Sequence, residues 1–368
     1  MKNMKHKTIY FLLLTGFCFC RISFGQSSAN GFIFGEDQMC RFSADDPGKL
    51  TIIGIGSANY EPYKSYYRCP AAFANRPWLF YLNGWGSGRY FLERIDTATG
   101  EYTGIDMEPQ MNFNAQVKAM SYEKSSNSIY FLTRESGTPG QFNFIRSMDM
   151  NLRGSLQKFV CHVKDSLALH GFSVGPDGFG YSFNDTGSLD KIDILTGEVK
   201  SKTATGLRGS DIMDAVINPA NGKLYITLIR DSSYTELRTV DISNGKSERI
   251  TSWDGIYAGL AFSGNVYPPP LPAPELVSPL GYIDNFSPLL VWKPVPGAIG
   301  YFVNYSPFEP AVNRNWWGWA VVYDTTFRVP DKVFDNSFNN YWWIAAFDSS
   351  GTGYFSKMGV TGANAEER

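Results

Sequence analysis

Short apolar segments rich in aromatic residues recur along the chain, and each precedes a strand that ends in a hydrophobic residue followed by an acidic or hydroxyl residue. A glycine lies four or five residues further on, where a hairpin turn can use its freedom to adopt positive φ. The pattern predicts repeated units of antiparallel sheet. The aromatic segments are 32–35, 78–82, 129–132, 179–183 and 223–227, and the glycines are Gly48, Gly100, Gly154, Gly197 and Gly245.

A further strand with a small residue precedes four of the five units. The small residues are Ala72, Ala119, Gly171 and Ala215, and a lone copy of this strand, 258–262, follows the last unit. Because four-stranded units of this kind must stack to bury their faces, the pattern predicts an all-β chain with a five-bladed β-propeller over 26–267. The lone strand would pair with the first unit near Phe32 and close the ring, which removes exposed strand edges. A six-bladed ring with a degenerate blade in 57–68 is the alternative.

These repeats resemble the propellers of secreted bacterial proteins that carry an "LY…xID…TG" pattern and are similar to quinoprotein and NHL-type repeats. The matching segments are KLYIT…TVDISNG (223–245), GYSF…KIDILTG (180–197) and DAVINPANG (214–222). The resemblance covers about two thirds of the chain. It implies a propeller but no particular activity, since propellers serve many functions.

A proline-rich segment, PPPLPAP (268–274), is typical of a semi-rigid extended spacer. Beyond it, residues 275–360 predict a small β-sandwich with hairpins in 289–306 and 339–356, followed by a tail at 361–368. This part resembles a fibronectin type III module in Trp292, in the GAxxY run that ends at Tyr301 and in the late YWWIAAFDSSGTG segment. The resemblance implies a spacer or adhesive unit.

Residues 1–25 have the organisation of a secretory signal peptide. An apolar stretch, 9–20, is too short to span a bilayer, which needs about 20 residues. Ser23 and Gly25 are the small residues of a cleavage site, and the positive charges that precede the apolar stretch are Lys2, Lys5 and Lys7. We therefore expect a secreted, periplasmic or cell-surface protein without a membrane span.

Composition excludes two further classes of protein. With 43% hydrophobic, 15% aromatic and 18% charged residues among 368, the chain is too apolar to be disordered. Its formal net charge of −2 becomes −6 when the leader is removed, which argues against binding to nucleic-acid phosphates.

Three cysteines remain outside the leader, so they allow one disulfide at most. Cys40–Cys69 is the candidate pair, and isolated buried thiols, including Cys161, are the alternative.

Candidate ligand-binding residues cluster where the first strands of a propeller would begin. Aligning these strands on their small residues places Lys118, His170 and Asp214 around the channel mouth, and the converging loops add further charged and aromatic residues. Such groups could hold a sugar or a peptide by hydrogen bonds and stacking, although they could equally be solvated loop residues. The loop residues are Asp37, Trp85, Arg134, Asp185 and Arg230.

Catalytic and metal-binding roles find less support. Glycosidases use paired carboxylates, and Asp37, Asp185 and Asp214 could be cast in those roles, but the motifs expected near Asp37 are absent. Two histidines outside the leader, His162 and His170, and no Cys-x-x-Cys argue against zinc. We therefore predict no catalytic residue, no cofactor and no metal.

Trp317 and Trp319 would share one face of a strand, because side chains alternate across a sheet. They would form either a stacking platform for sugars or part of a sandwich core.

Together these observations predict an exported, non-catalytic protein that binds a glycan or an extracellular protein at the propeller face. The alternatives are a carbohydrate-active hydrolase or lyase that uses channel-mouth carboxylates, and a structural component of an envelope or matrix.

Overall fold

The structure is a computed structural model, and it describes residues 30–35, 38–55, 71–73, 78–85, 89–98, 102–112, 115–135, 142–149, 158–164, 167–263, 270–307, 318–334, 339–348 and 351–362. Within these ranges the chain is all-β, as predicted, with one 3-10 turn at Gly209–Asp211 and no α-helix. No described helix is therefore long and apolar enough to cross a lipid bilayer.

Twenty of the strands in the described part of the chain form five four-stranded antiparallel sheets, numbered here in chain order. Sheet 1 contains β1 (Asn30–Phe34), β2 (Gln38–Ser43), β3 (Asp46–Ile55) and β20 (Ala258–Phe262), and sheet 2 contains β4 (Ala71–Phe73), β5 (Trp78–Trp85), β6 (Arg89–Asp96) and β7 (Tyr102–Asn112). Sheet 3 contains β8 (Ala115–Glu123), β9 (Ser128–Glu135), β10 (Phe142–Asp149) and β11 (Lys158–His162). Sheet 4 contains β12 (Leu169–Val174), β13 (Phe179–Asn184), β14 (Ser188–Asp193) and β15 (Val199–Ala204), and sheet 5 contains β16 (Ile212–Ile217), β17 (Leu224–Arg230), β18 (Tyr234–Val240) and β19 (Ser247–Asp254).

Sheet 1 is composite, because its innermost strand comes from the far end of the repeat region. β20 pairs antiparallel with β1, with Phe262 opposite Gly31 and Ala261 opposite Phe32. This is the pairing that the lone strand predicted. The innermost strands also contact one another in sequence, β4 with β8, β8 with β12, β12 with β16, β16 with β20, and β20 with β4. Sheets that radiate from such a set of inner strands have the arrangement of a β-propeller.

Neighbouring sheets bury their apolar faces against each other. Tyr181, Phe183 and Leu189 of sheet 4 pack with Ile226 and Leu228 of sheet 5 in one cluster, and all five side chains are buried. At about 25 cal/mol per Å² of apolar surface, this stacking supplies the main favourable term for folding. A single sheet would leave one of these faces in water, so the repeats stabilise each other.

The predicted turn glycine has two separate functions in sheet 4. Gly197 adopts φ 71° and donates its N–H to the Asp193 carbonyl over 2.8 Å, while the Asp193 side chain accepts from Leu195 N and Thr196 N. A Cβ at Gly197 would lie 1.9 Å from the His162 carbonyl oxygen of sheet 3, so glycine also allows the two sheets to approach. Gly245 repeats this arrangement in sheet 5.

Gly48 does not follow the predicted pattern. It lies inside β3 without positive φ, because Ser43 pairs directly with Asp46 and the turn between β2 and β3 comes before the glycine. Gly100 and Gly154 lie outside the described residues.

The C-terminal unit contains two sheets that share one apolar core, which includes Trp292 and Tyr301. The first sheet has three strands, β21 (Leu276–Ser278), β22 (Leu289–Trp292) and β25 (Thr326–Arg328). The second has five, β23 (Gly300–Ser306), β24 (Gly318–Val322), β26 (Asn340–Asp348), β27 (Gly351–Phe355) and β28 (Gly359–Thr361). β26 and β27 form the predicted second hairpin, but the predicted first hairpin is wrong, since β22 and β23 belong to different sheets.

The C-terminal unit packs against sheet 2 through a fully buried arginine. The Arg94 guanidinium lies 4.3 Å from the ring centroid of Trp78 and 4.8 Å from that of Phe355, and its Nη1 donates to the Gly353 carbonyl over 3.3 Å. Desolvated cation–π contacts of this kind contribute about 2 kcal/mol each. Arg94 therefore joins two parts of the chain that are more than 250 residues apart in sequence.

Part of the proline-rich segment belongs structurally to the C-terminal unit. Leu271 is half-buried against the core of that unit, and its carbonyl accepts the Tyr354 N–H over 3.0 Å. The expectation of an extended spacer therefore does not hold for this residue, because the segment is fixed along β27. Residues 268 and 269 lie outside the described residues.

Candidate functional site

Two of the predicted ligand-binding residues meet where sheet 4 begins. His170 is the second residue of β12, and Asp185 lies in the loop between β13 and β14. His170 Nε2 lies 2.6 Å from Asp185 Oδ1, and the side chains are 11% and 51% exposed, respectively. The other carboxylate oxygen, Oδ2, has no hydrogen-bond partner among the described residues. The pair therefore presents a fixed acceptor to solvent.

Two buried side chains hold the loop that carries Asp185. Asn184, 1% exposed, accepts with its Oδ1 from Thr186 N, Thr186 Oγ1 and Ser188 N over 3.1, 2.6 and 3.1 Å. Its Nδ2 donates to the fully buried Asp190 carboxylate over 3.1 Å. These bonds fix the position of Asp185 before any ligand arrives, and such preorganisation lowers the entropy cost of binding.

Arg134 holds the start of β12 rather than projecting freely from the predicted site. Its Nη2 donates to the Leu169 carbonyl over 3.2 Å, and its Nε donates to Asn143 Oδ1 over 3.4 Å. The fully buried Asn143 in turn donates to the Leu167 carbonyl over 2.8 Å. Sheet 3 therefore orients the backbone that carries His170.

The register of the inner strands revises the predicted ring of three polar residues. Ser121, Ser173 and Val216 lie opposite the repeated tyrosine of the second strand in sheets 3, 4 and 5. His170 pairs with Phe183 and Asp214 pairs with Thr227, in each case two residues beyond the tyrosine along the second strand, so His170 and Asp214 lie at one level. In sheet 3 this level belongs to Ala119, which pairs with Leu132, whereas Lys118 lies in the irregularity between Val117 and Ala119. A ring of all three residues around a channel mouth stays a prediction.

Asp214 is buried and connects three strands, β16, β17 and β20. Its Oδ2 accepts from Thr227 Oγ1 over 2.9 Å and from the Gly259 N–H over 3.0 Å. Gly259 belongs to β20, so this carboxylate links sheet 5 to the composite sheet 1. A ligand contact by Asp214 stays a prediction, and the hydrogen bonds indicate a structural function.

Lys118 and Arg230 also have partners within the protein. Lys118 Nζ donates to Gln116 Oε1 over 2.7 Å. Arg230 donates to Asp211 over 2.9 Å and lies 3.5 Å from Glu236, near Arg238. Burial opposes ionisation of Glu236, but the hydrogen bond and charge of Arg238, together with Arg230, outweigh it and lower the pKa of this carboxyl.

The remaining predicted residues are Asp37, Trp85, Trp317 and Trp319. Asp37 and Trp317 lie outside the described residues, as does the side chain of Trp85 at the end of β5. Trp319 is 43% exposed and belongs to the C-terminal unit. Among the predicted residues whose side chains are described, His170 and Asp185 contact each other.

In the part of the chain that the structure describes, no group of three or more His, Cys, Asp or Glu side chains could hold a metal ion. Cys40 and Cys161 are buried free thiols, and Cys69 lies outside the described residues. Burial, with a smaller contribution from Asp193, raises the pKa of Cys161 to about 11.

Sequence reasoning did not predict the buried, supporting role of three polar residues at the site, Asn143, Asn184 and Asp190. Each of them has an amide or carboxylate side chain at a position where the alternation along the strand predicts a buried residue, and this mismatch was the available signal. In an isolated sequence, a polar residue at such a position is equally typical of a solvated loop.

No known family's sequence profile matches the chain, and no curated protein matches it. Among solved structures, it is similar to TolB from Acinetobacter baumannii (14% identity, 73% of this chain and 61% of that chain, TM-score 0.38) and to the WD40 beta propeller domain of Doa1 (13%, 61% and 80%, 0.37). It is also similar to the extracellular domain of BT4673 from B. thetaiotaomicron (11%, 92% and 56%, 0.32). The chain thus spans about three fifths of the TolB length. With TM-scores below 0.5, these similarities carry no argument about ligand or activity.

Proposed function

We propose that this protein is an exported, non-catalytic binding protein that holds a glycan where the inner strands begin, at His170 and Asp185. The observation that carries the proposal is the 2.6 Å contact between these side chains, with half of the Asp185 side chain exposed. A carboxylate oxygen accepts hydrogen bonds from sugar hydroxyls, and charge-assisted bonds of this type are about twice as strong as neutral ones.

We also propose the architecture that frames this site. Residues 26–267 would form a five-bladed propeller closed by β1 and β20, following a signal peptide at 1–25. Pairing of these two strands and the contacts between successive inner strands support this arrangement. Residues 275–360 would form a fibronectin type III-like sandwich after the proline-rich segment 268–274, and the shared core of its two sheets supports that assignment.

The arrangement of carboxylates favours binding over hydrolysis. A glycosidase needs two carboxyl groups that face one substrate, separated by about 5 to 10 Å. Asp185 is exposed, but Asp214 is buried and accepts two internal hydrogen bonds. Of the three carboxylates considered for hydrolysis, Asp185 is therefore open and Asp214 is engaged internally, while Asp37 lies outside the described residues.

A glycan array with the purified chain lacking residues 1–25 tests the proposal. We expect wild-type binding to a subset of glycans, and a loss of about tenfold or more in affinity for His170→Ala and Asp185→Asn. Asp177→Asn is the matched control, because Asp177 forms a half-exposed pair with Lys191 over 2.9 Å in the turn at the opposite end of β12.

Two results would reject the proposal. One is glycan binding that His170→Ala and Asp185→Asn leave unchanged while both variants keep the wild-type melting temperature. The other is release of reducing ends from a bound glycan that Asp185→Asn abolishes, which would show a hydrolase instead.

A further inference from the structure

Three residues form a row across the five-stranded sheet of the C-terminal unit. Asn304 on β23 lies opposite Trp319 on β24 and opposite Trp343 on β26. Residues that pair in this way point to the same side of an antiparallel sheet. The row therefore consists of two indole side chains with a carboxamide between them.

The row points away from the core of the unit. The neighbouring residues on β23, Val303 and Tyr305, are buried in that core together with Trp342 and Ile344 of β26. Alternation along the strands places Asn304 and Trp343 on the other face. A Cβ at Gly318 would lie 2.0 Å from the Tyr305 ring, so glycine here lets the ring pack on the core side directly beside Trp319.

The polar member of the row has an unmet hydrogen-bonding requirement. Asn304 Nδ2 is buried and has no hydrogen-bond partner among the described residues, although buried polar groups are nearly always paired. Trp319 is 43% exposed, whereas Asn304 and Trp343 are half-buried. The row therefore places an amide with spare donor capacity between two aromatic side chains at a partly open surface.

We infer that the row Trp319–Asn304–Trp343 is a second carbohydrate site, separate from the one proposed on the propeller. Neighbouring strands lie about 4.8 Å apart, so the two tryptophan backbones are separated by roughly 10 Å, which matches the length of a disaccharide. Indole rings stack on the flat C–H faces of pyranoses, and rotation of the Asn304 carboxamide, whose terminal torsion is soft, directs its N–H groups to a hydroxyl. The row contains no ionisable side chain, so its ligand is a neutral oligosaccharide.

The position of the unit gives this site a consequence for the whole chain. Arg94 fixes β27 of the same sheet to sheet 2 through Gly353 and Phe355. The row is therefore held in a constant position relative to sheet 2. A polysaccharide long enough to reach both sites would bind with an avidity above that of either site, because the second contact becomes intramolecular.

Affinity electrophoresis in native gels tests the inference with four soluble neutral polysaccharides, hydroxyethyl cellulose, xylan, glucomannan and starch. We expect at least one to retard the chain, Trp319→Ala to weaken that retardation by about tenfold or more, and Asn304→Ala to weaken it by a smaller factor. Trp343→Phe keeps an apolar ring at the half-buried position and should give an intermediate loss. Tyr282→Ala is the matched control, because Tyr282 is 70% exposed in the same unit but lies outside the row.

The outcomes separate this inference from the proposed function. His170→Ala with Asp185→Asn should remove binding at the propeller and leave the Trp319-dependent retardation in place. Absence of retardation by all four polysaccharides, or equal retardation of the wild type and Trp319→Ala, would overturn the inference. So would a dimer in size-exclusion chromatography that Trp319→Ala dissociates, since the row would then be a contact between two copies of the chain.

Discussion

Replacing Asp214 with alanine should open the junction between sheet 5 and sheet 1. Its carboxylate oxygen accepts from the Thr227 hydroxyl and from the Gly259 N–H, and all three residues are buried. Alanine is smaller than aspartate and already occupies the corresponding level of sheet 3 as Ala119, so the new side chain fits without a clash. Lost hydrogen bonds would therefore account for the effect.

The two hydrogen bonds set the expected magnitude. The Gly259 N–H cannot reorient, and leaving a buried donor unpaired costs about 1 to 3 kcal/mol. The Thr227 hydroxyl can rotate, so the loss of its bond to a charged acceptor costs less than the 1.5 to 3 kcal/mol that is usual for such bonds. We expect Asp214→Ala to lower the free energy of unfolding at this junction by about 2 to 4 kcal/mol, and Asp214→Asn, which keeps an amide oxygen, by about half as much.

Hydrogen exchange measured by mass spectrometry localises the effect. Protection of peptides from 30–34 and 258–262 should fall roughly thirtyfold to a thousandfold in Asp214→Ala, because each 1.4 kcal/mol corresponds to a factor of ten. Peptides from 188–193 in sheet 4 should keep wild-type protection. Glu248→Ala, which removes an exposed pair with Lys246, serves as the control and should change protection by less than threefold.

Two results would refute this reasoning. Unchanged exchange in 258–262 would show that the Asp214 hydrogen bonds contribute nothing to the junction. An equal increase in all sheets would show a global destabilisation without a special function for this carboxylate.

Three further predictions concern charge, packing and thiol reactivity. Because the pKa of Glu236 is lowered, its ionised form contributes stability that is fully present above the pKa of an unfolded glutamate, about 4.3, and is lost as pH falls through the folded pKa. Urea unfolding curves should therefore show Glu236→Gln less stable than wild type at pH 7, and the difference should shrink as the pH falls below the folded pKa. Arg94→Ala should release the C-terminal unit from sheet 2, seen as a larger radius of gyration in X-ray scattering, whereas an unchanged radius would contradict the importance of this contact. With Cys69 replaced by serine, Cys161 (pKa about 11) and Cys40 (pKa raised by burial) should react with iodoacetamide at pH 8 only after unfolding, and alkylation of the native chain would contradict their burial.

The sequence predicted the sheets well because their signals are local. Strand alternation, the Asp193 turn and its glycine each extend over a few residues, and each was visible without knowledge of the fold. The pairing of β20 with β1 was also predictable. The first unit lacks the strand that precedes the other units, and the strand at 258–262 follows the last unit alone, so the two complete one sheet.

The alignment of the inner strands on their small residues displaces Lys118 for a physical reason. β-bulges interrupt the pairing between Val117 and Ala119, between His170 and Ser173, and before Asp214. Each bulge inserts one residue on one strand, so positions counted along the sequence lose register with positions across the sheet. His170 and Asp214 lie level with each other across their sheets, whereas Ala119 rather than Lys118 occupies that level in sheet 3.

The geometry of the candidate site depends on hydrogen bonds between residues that are far apart in sequence, and a local sequence pattern does not reveal such bonds. Arg134 and Asp214 have the composition of a binding site, yet their hydrogen bonds go to the backbone of the next sheet. Such bonds satisfy groups that would otherwise remain unpaired where inner strands crowd together. Since these charges are engaged by the scaffold, the side chains that remain open, Asp185 on sheet 4 and Trp319 in the C-terminal unit, are the ones that the two proposals assign to recognition. Because Arg94 holds the C-terminal unit against sheet 2, a ligand that spanned both proposed sites would meet them in a constant arrangement.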